Sequence, residues 1–356
     1  MSIKIVRWYL LLLTIFSFSS NAAVVLLYHH VSNTTPESTS ISPDAFEAQM
    51  DYLEKNHFNV VPLPELVEIL RKGGTLPDKT VAISFDDSYA SVYDSAYPRL
   101  KKRGWPFTFF VNTDSVGTSR LFVSWDQLRE MAKNGVTIAN HSSTHTHLPR
   151  KNTGESASEY RERIHSDIEK AQQKIKHEIG EAHMMLAYPF GEYDIEVQRI
   201  ARKSGYIAFG QQSGALYEKG DLQAVPRFPF GGGFTGLDDF IMKVNTRPMP
   251  ASSIKFYANK NDELENVIAR EGDKPWLVLQ LADVGLLKKI NCFATGQGPI
   301  TVEVIDQQLW VQAKQPLKPG RTRYNCTAYA GEKDRFYWYT QQWLITDKHG
   351  KWTYKD

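Results

Sequence analysis

From residue 24 to about 207 the chain alternates apolar, strand-like runs with amphipathic helical stretches, the pattern of an α/β fold built on a largely parallel sheet. The runs are VVLLY, VAISF, FTFFVN, VTIAN, MMLAY and YIAFG. Between the first two, Ser42 and Pro43 suit the N-cap and first turn of a helix whose Phe46, Met50 and Leu53 share one face. Gly73 and Gly74 close the next helix. In ESASEYRERIHSDIEKAQQKIKHEIG, Ile164, Ile168, Ala171 and Ile175 recur at three- and four-residue steps. That spacing predicts a surface helix with one packed face and a solvated face carrying His165 and His177.

Near residue 250 the composition shifts, and TRPMPASS reads as a linker. Beyond it the runs WLVLQL, ITVEVI, LWVQA and FYWYTQQWLI, separated by Gly- and Pro-containing turns and rich in Trp and Tyr, predict a small β-sandwich. Exposed aromatics there could stack on sugar rings, but the same residues fill sandwich cores, and core is the role expected of most. The expected divisions are residues 1–22, an export signal; 23–248, the α/β domain; and 249–356, a β-rich accessory domain.

A chain of 356 residues is long enough for two domains, or for one large α/β barrel with an appendage. With 42% hydrophobic and 23% charged residues it is neither disordered, collagen-like nor a multi-span membrane protein. The net charge of +2, with no stripe of Lys and Arg, gives no argument for a nucleic-acid partner. Lys4 and Arg7, the apolar run WYLLLLTIF, and small or polar residues through Ser20, Asn21 and Ala22 form a secretory signal peptide cut before Ala23. An uncleaved anchor is the alternative, though the run is shorter than the roughly 20 residues that cross a bilayer, and no membrane span is expected after cleavage. The working part therefore lies outside the cytoplasm. In that oxidising setting the two cysteines, Cys292 and Cys326, read as a structural disulfide, and their wide separation lacks the C-x-x-C spacing of thiolate metal sites.

The chemistry-bearing residues collect at strand ends. VAISF runs directly into Asp86 and Asp87, and the carboxyl ends of parallel strands are where active sites form. One of two adjacent acids can bind a cation while the other acts as base, although an Asp at this place could equally cap the helix that follows. VTIAN runs into HSSTH, which sets His141 and His145 four apart at another strand end, with His147 just beyond. Imidazole with carboxylate is a common ligand set for Zn²⁺ and other divalent first-row metals. In LAYPFGEYD the strand stops at Pro189, and the turn at Gly191 can aim a backbone N–H, that of Phe190, at a developing oxyanion; read alone, it is a strand-ending turn. LLYHHV ends the first strand with His29 and His30, of which alternation lets only one face the site.

Taken together, residues 24 to 245 resemble the polysaccharide deacetylase family, carbohydrate esterase family 4 or NodB-homology domain, whose fold is a distorted (β/α) barrel. SFDDSYAS is similar to the family's first motif, which implies that Asp86 is the catalytic base and Asp87 a metal ligand. HSSTH is similar to the second, which implies that His141 and His145 are the other ligands. YPFG matches the end of the third, whose aromatic residue, here Phe190, supplies the oxyanion N–H. The general-acid histidine that most members carry late in the domain has no counterpart after residue 207. YHHV near the N-terminus instead resembles the circularly permuted branch of poly-β-1,6-N-acetylglucosamine deacetylases and implies that His29 is the general acid. The arginine that usually opens the third motif is replaced by Ala187, and Arg227 in VPRFPFGG is the candidate substitute for orienting the base.

The resemblance implies metal-dependent removal of N-acetyl groups from an N-acetylglucosamine polysaccharide, poly-β-1,6-N-acetylglucosamine first, with release of acetate. Peptidoglycan, chitin oligomers and O-acetylated xylan are alternative substrates, and a non-catalytic carbohydrate binder on the same fold is the alternative of another class. Zn²⁺ is the expected metal, with Co²⁺, Ni²⁺ and Fe²⁺ left open. The expected location is periplasmic or extracellular, including the cell surface.

Overall fold

The computed structural model describes residues 22–216, 220–333 and 335–353. The export signal read in residues 1–22 lies, all but its last residue, outside them. Among the described residues no helix is long and apolar enough to cross a membrane.

The first part of the chain folds around an eight-stranded parallel sheet. Its strands are β1 (Ala23–Tyr28), β2 (Asn59–Val60), β3 (Thr80–Phe85), β4 (Thr108–Val111), β5 (Thr137–Asn140), β6 (Met185–Ala187), β7 (Ile207–Phe209) and β8 (Phe228–Pro229). The order across the sheet is β8-β1-β3-β4-β5-β6-β7, with β2 beside the start of β3. Apart from β8, which returns to pair with β1, neighbours follow chain order, as in a (β/α) barrel. A single parallel bridge between Phe209 and Val225 draws the β7 edge toward the chain entering β8, so the barrel is distorted rather than evenly closed. All six apolar runs read from the sequence are strands of this sheet. The two-residue strands β2 and β8 were not foreseen, being too short for any periodicity to mark.

Side chains alternate between two apolar layers. Val24, Leu26, Ile83, Phe85, Phe109 and Ile138 pack outward against helices, including Phe46, Met50 and Leu53 of α1 (Pro43–Lys55). Val25, Ala82, Phe110, Ala139, Ala187 and Phe209 form a second cluster on the other face of the strands. The helices begin where local chemistry starts them. The Ser42 hydroxyl accepts from Ala45 N–H at 3.1 Å ahead of α1. Ser156 and Glu159 form a capping box on α2 (Ala157–Ile179), the long charged helix, which ends on Gly180 at φ 95°.

The segment read as a linker is not one. Arg247–Pro248 (β9) pairs in parallel with Tyr337 and Trp338, and Ala251–Asn259 (β10) is a full strand. Proline and serine mark turns by local propensity, but a partner strand some ninety residues later overrides it. From there two sheets face one another. One joins β9, Ile268–Arg270 (β11), Asn291–Ala294 (β12), Gly320–Tyr329 (β13) and Phe336–Thr346 (β14); the other joins β10 to strands at Trp276–Leu281, Thr301–Ile305 and Gln308–Gln312. Leu277, Leu279, Leu309 and Val311 from one and Tyr324, Cys326, Trp343 and Ile345 from the other share a core. Cys292 and Cys326 sit opposite each other on β12 and β13 and are disulfide-bonded.

The disulfide closes a loop with a sequence separation of 34. Chain-entropy arithmetic for such a loop gives about 3–4 kcal/mol of stabilisation. Replacing both cysteines by alanine should lower the urea midpoint of the β-rich region accordingly, as followed by tryptophan fluorescence, and leave the unfolding of the parallel-sheet region near its original midpoint.

Candidate active site

Asp86 and Asp87 follow β3, His141 follows β5, Phe190 follows β6 and His29 follows β1, so four strand ends deliver their residues to one end of the barrel. Asp87 Oδ1 lies 3.1 Å from His141 Nε2 and 3.0 Å from His145 Nε2. One donor atom from each of Asp87, His141 and His145 falls within 4.8 Å of the others, the spacing of a shared cation. His29 Nε2 is 3.9 Å from Asp87 Oδ2, and His141 Nε2 is 3.9 Å from Asp86 Oδ2. His30 faces away, stacked on Tyr89 with ring centroids 3.6 Å apart and bonded through Nδ1 to Ser91 Oγ at 3.1 Å. Neither aspartate caps the following helix, whose π-helical turn starts after Ser91 with no side-chain cap.

Arg227 reaches this end from the chain just before β8. Its Nη1 and Nη2 donate to Asp86 Oδ1 at 2.8 Å and Oδ2 at 2.7 Å, and its Nε donates to Gly210 O at 2.9 Å. Asp86, His141 and Arg227 are all 0% exposed. The two-pronged contact fixes the plane of the Asp86 carboxylate, which a single ammonium could not do.

Several residues hold backbone conformations that L-side chains avoid. Asp87 (φ 77°), Ser88 (φ 60°), Ser142 (φ 61°), His145 (φ 54°) and Phe190 (φ 57°) all lie in the left-handed region, and all belong to the site or adjoin it. Short polar bonds hold them there. Ser88 Oγ donates to Asn112 Oδ1 at 2.7 Å, Ser142 Oγ accepts from His145 N–H at 3.0 Å, and Asn140 Oδ1 accepts from Ser142 N–H at 2.8 Å. His147 stacks on Phe190 at 3.8 Å and bonds through Nδ1 to Glu192 Oε2 at 2.8 Å. Ser88, Asn112 and Ser142 escaped the sequence reading because polar residues in loops carry no periodicity. Tyr89 and the Glu192–His147 pair were missed for another reason: their roles follow from contacts between separate strand ends.

The donor set suits a metal ion. His141 Nδ1–H donates to Ala187 O at 2.8 Å, which leaves the Nε2 lone pair facing an Asp87 oxygen. Two acceptors that close need a proton or a cation between them. His145 Nε2 is buried and without a hydrogen bond, an orphan aimed at the same point. Burial opposes ionisation of Asp87, but the close approach of the His141 and His145 imidazoles holds its carboxyl well below the usual range. Burial pushes the His29 imidazole down against the pull of Asp87 and Asp86, while burial and the Asp87 charge push the Tyr89 phenol up to about 12.

Residues 73–209 match the family model described as polysaccharide deacetylase. Over that stretch the chain is similar to the polysaccharide deacetylase family. The poly-β-1,6-N-acetyl-D-glucosamine N-deacetylase of Staphylococcus aureus is 26% identical over 233 residues, 59% of this chain and 79% of that protein. The Escherichia coli K12 protein of the same name is 26% identical over 244 residues, 58% of this chain but only 36% of its own length. Among solved structures, IcaB from Ammonifex degensii superposes with a TM-score of 0.55 at 27% identity, covering 62% of this chain and 96% of that one. The deacetylase barrel expected from the motifs is therefore the fold, with a β-rich region after it. His29 and Arg227 both lie outside the residues of the family match, one on each side.

Replacing Arg227 by alanine strands a fully buried carboxylate and should cost about 3–5 kcal/mol in urea denaturation. Arg227→Lys should recover little of it, because lysine keeps the charge without the fork.

Proposed function

We propose that this chain is an exported, metal-dependent polysaccharide N-deacetylase acting on an N-acetylglucosamine polymer, with poly-β-1,6-N-acetylglucosamine the substrate that its relatives favour. The observation that carries the reading is the pairing of two different acids at one strand end: Asp86 clamped by Arg227, and Asp87 facing two imidazoles. Those are the distinct environments that a base and a ligand require. Export is supported by the disulfide and by the leader-like N-terminal sequence.

In this reading Asp87, His141 and His145 hold the cation, Zn²⁺ by the donor set. When bound, it would supply Lewis acidity to the acetyl carbonyl and lower the pKa of water to about 7. Asp86, oriented by Arg227, takes the proton from the attacking water. The Phe190 N–H donates to the tetrahedral oxyanion. His29 in its protonated form, which burial opposes and the Asp87 and Asp86 charges favour, gives a proton to the departing amine. Acetate and a free glucosamine unit leave.

Acetate release from poly-β-1,6-N-acetylglucosamine, chitin oligomers, peptidoglycan and acetylated xylan, with and without chelator, tests both the chemistry and the polymer. The first substrate should be hydrolysed fastest, and chelation should abolish turnover. Asp86→Asn should lower kcat by about 10²–10⁴ with bound metal unchanged, whereas His145→Ala should lose the metal itself, measured by elemental analysis. Chelator-insensitive turnover would refute the metal reading. Polymer binding without acetate release from metal-loaded protein would favour the carbohydrate binder.

A further inference from the structure

The turn that carries Phe190 is held by residues that reach it from outside the barrel. Phe190 sits at φ 57° with a full side chain, a conformation that persists only where the surroundings over-determine it. Within the turn there are two backbone bonds, Gly191 N–H to Tyr188 O at 2.8 Å and Glu192 N–H to Pro189 O at 3.1 Å.

Two chains of contact run from the β-rich region to this turn, one on each side. In the first, Trp352, beyond the last strand, lies under the Arg150 guanidinium, 5.6 Å from its ring centroid. Arg150 Nη2 donates to Glu192 Oε1 at 3.2 Å, the other oxygen of Glu192 holds His147, and the His147 ring lies 3.8 Å from Phe190, nearly parallel at 12°. In the second, Arg321 on β13, whose neighbours Thr322 and Tyr324 point the other way into the sandwich, donates from Nη1 to Gln211 Oε1 at 3.3 Å. Gln211 packs so closely on the turn that a Cβ built on Gly191 would fall 2.6 Å from its Cβ and 2.8 Å from its backbone nitrogen. Only glycine fits, and it too is left-handed at φ 68°.

We propose that the β-rich region is a positioning element for catalysis: through Trp352 and Arg321 it clamps residues 188–192 and so sets the direction of the Phe190 N–H. This rests on the reading in which that N–H meets the oxyanion. Trp352 and Arg321 act through Arg150 and Gln211 and are positioning residues. Their loss should therefore appear in turnover rather than in substrate affinity.

The test uses the full mature chain loaded with Zn²⁺, as wild type, Trp352→Ala, Arg321→Ala, the double variant and the conservative Trp352→Phe. Kinetics are measured on a β-1,6-linked N-acetylglucosamine pentamer, and amide hydrogen exchange is followed across residues 188–192. In the double variant kcat should fall about tenfold or more, as misplacement of a catalytic group predicts, with KM within about twofold and metal content unchanged. Exchange in 188–192 should quicken, and Trp352→Phe, which keeps a ring for Arg150, should behave as wild type. Unchanged exchange in the double variant, unchanged kcat, or a loss confined to KM would each overturn the proposal. If the wild-type protein releases no acetate from any polymer, the oxyanion reading falls by itself, and the exchange measurement still decides whether the β-rich region holds the turn.

Discussion

The active end of this molecule depends on one buried ion pair, Arg227 to Asp86. Both groups are fully removed from solvent, and two charges taken out of water repay the desolvation only when their geometry is nearly ideal and the remaining donors are used. Here they are: both oxygens of Asp86 are bonded, and Arg227 spends its Nε on the Gly210 carbonyl. The arginine arrives on the chain that enters β8, and β8 is placed by its parallel pairing with β1 at Leu26 and Leu27. Closing the barrel and clamping Asp86 are thus one event. A barrel that failed to bring β8 beside β1 would leave Asp86 charged and alone.

A second constraint follows from where the site's residues are placed. Strand ends give direction but not fine aim, and the aim comes from left-handed residues at Asp87, Ser142, His145 and Phe190. Each costs roughly 1–3 kcal/mol, and each is opposed by a local hydrogen bond or ring contact that would be lost if the backbone relaxed. Ser142 shows the logic at its smallest scale. Its N–H is held by Asn140 while its hydroxyl accepts from His145 N–H, so one serine bends the loop that carries both imidazoles inward.

What could be read from the sequence divides along the same line. Apolar runs identified all six longer strands of the sheet because burial on both faces writes itself into consecutive residues. Asp86, Asp87, His141 and His145 stood out because their side-chain types are costly without a task. Strand alternation said only that one of His29 and His30 faces the site, and the resemblance of YHHV pointed to His29; the structure turns that ring toward Asp87 and the other onto Tyr89. Arg227 had no local signature, since an arginine between prolines and phenylalanines looks solvated until the barrel closes over it. The segment after residue 245 was misread for the converse reason: its prolines and serines report turns, whereas its pairing with Tyr337 and Trp338 is encoded ninety residues away.

The aromatic residues of the β-rich region bear on what that region can do. Trp343 and Tyr324 are buried in the core between the two sheets, and Trp276 and Trp310 pack edge-on against each other on the other face of one sheet; all four are 0–8% exposed and so offer little to a sugar ring. Toward the barrel the region turns one ring, Trp338 edge-on to Phe228, and two arginines, Arg335 to the Asp78 carboxylate before β3 and Arg321 to Gln211 beside the Phe190 turn. Guanidinium forks hold orientation better than apolar contact does, because their hydrogen bonds fail once the geometry slips. A surface built this way registers one part of the chain on the other, and it does so along the strand ends and loops where the candidate site residues stand.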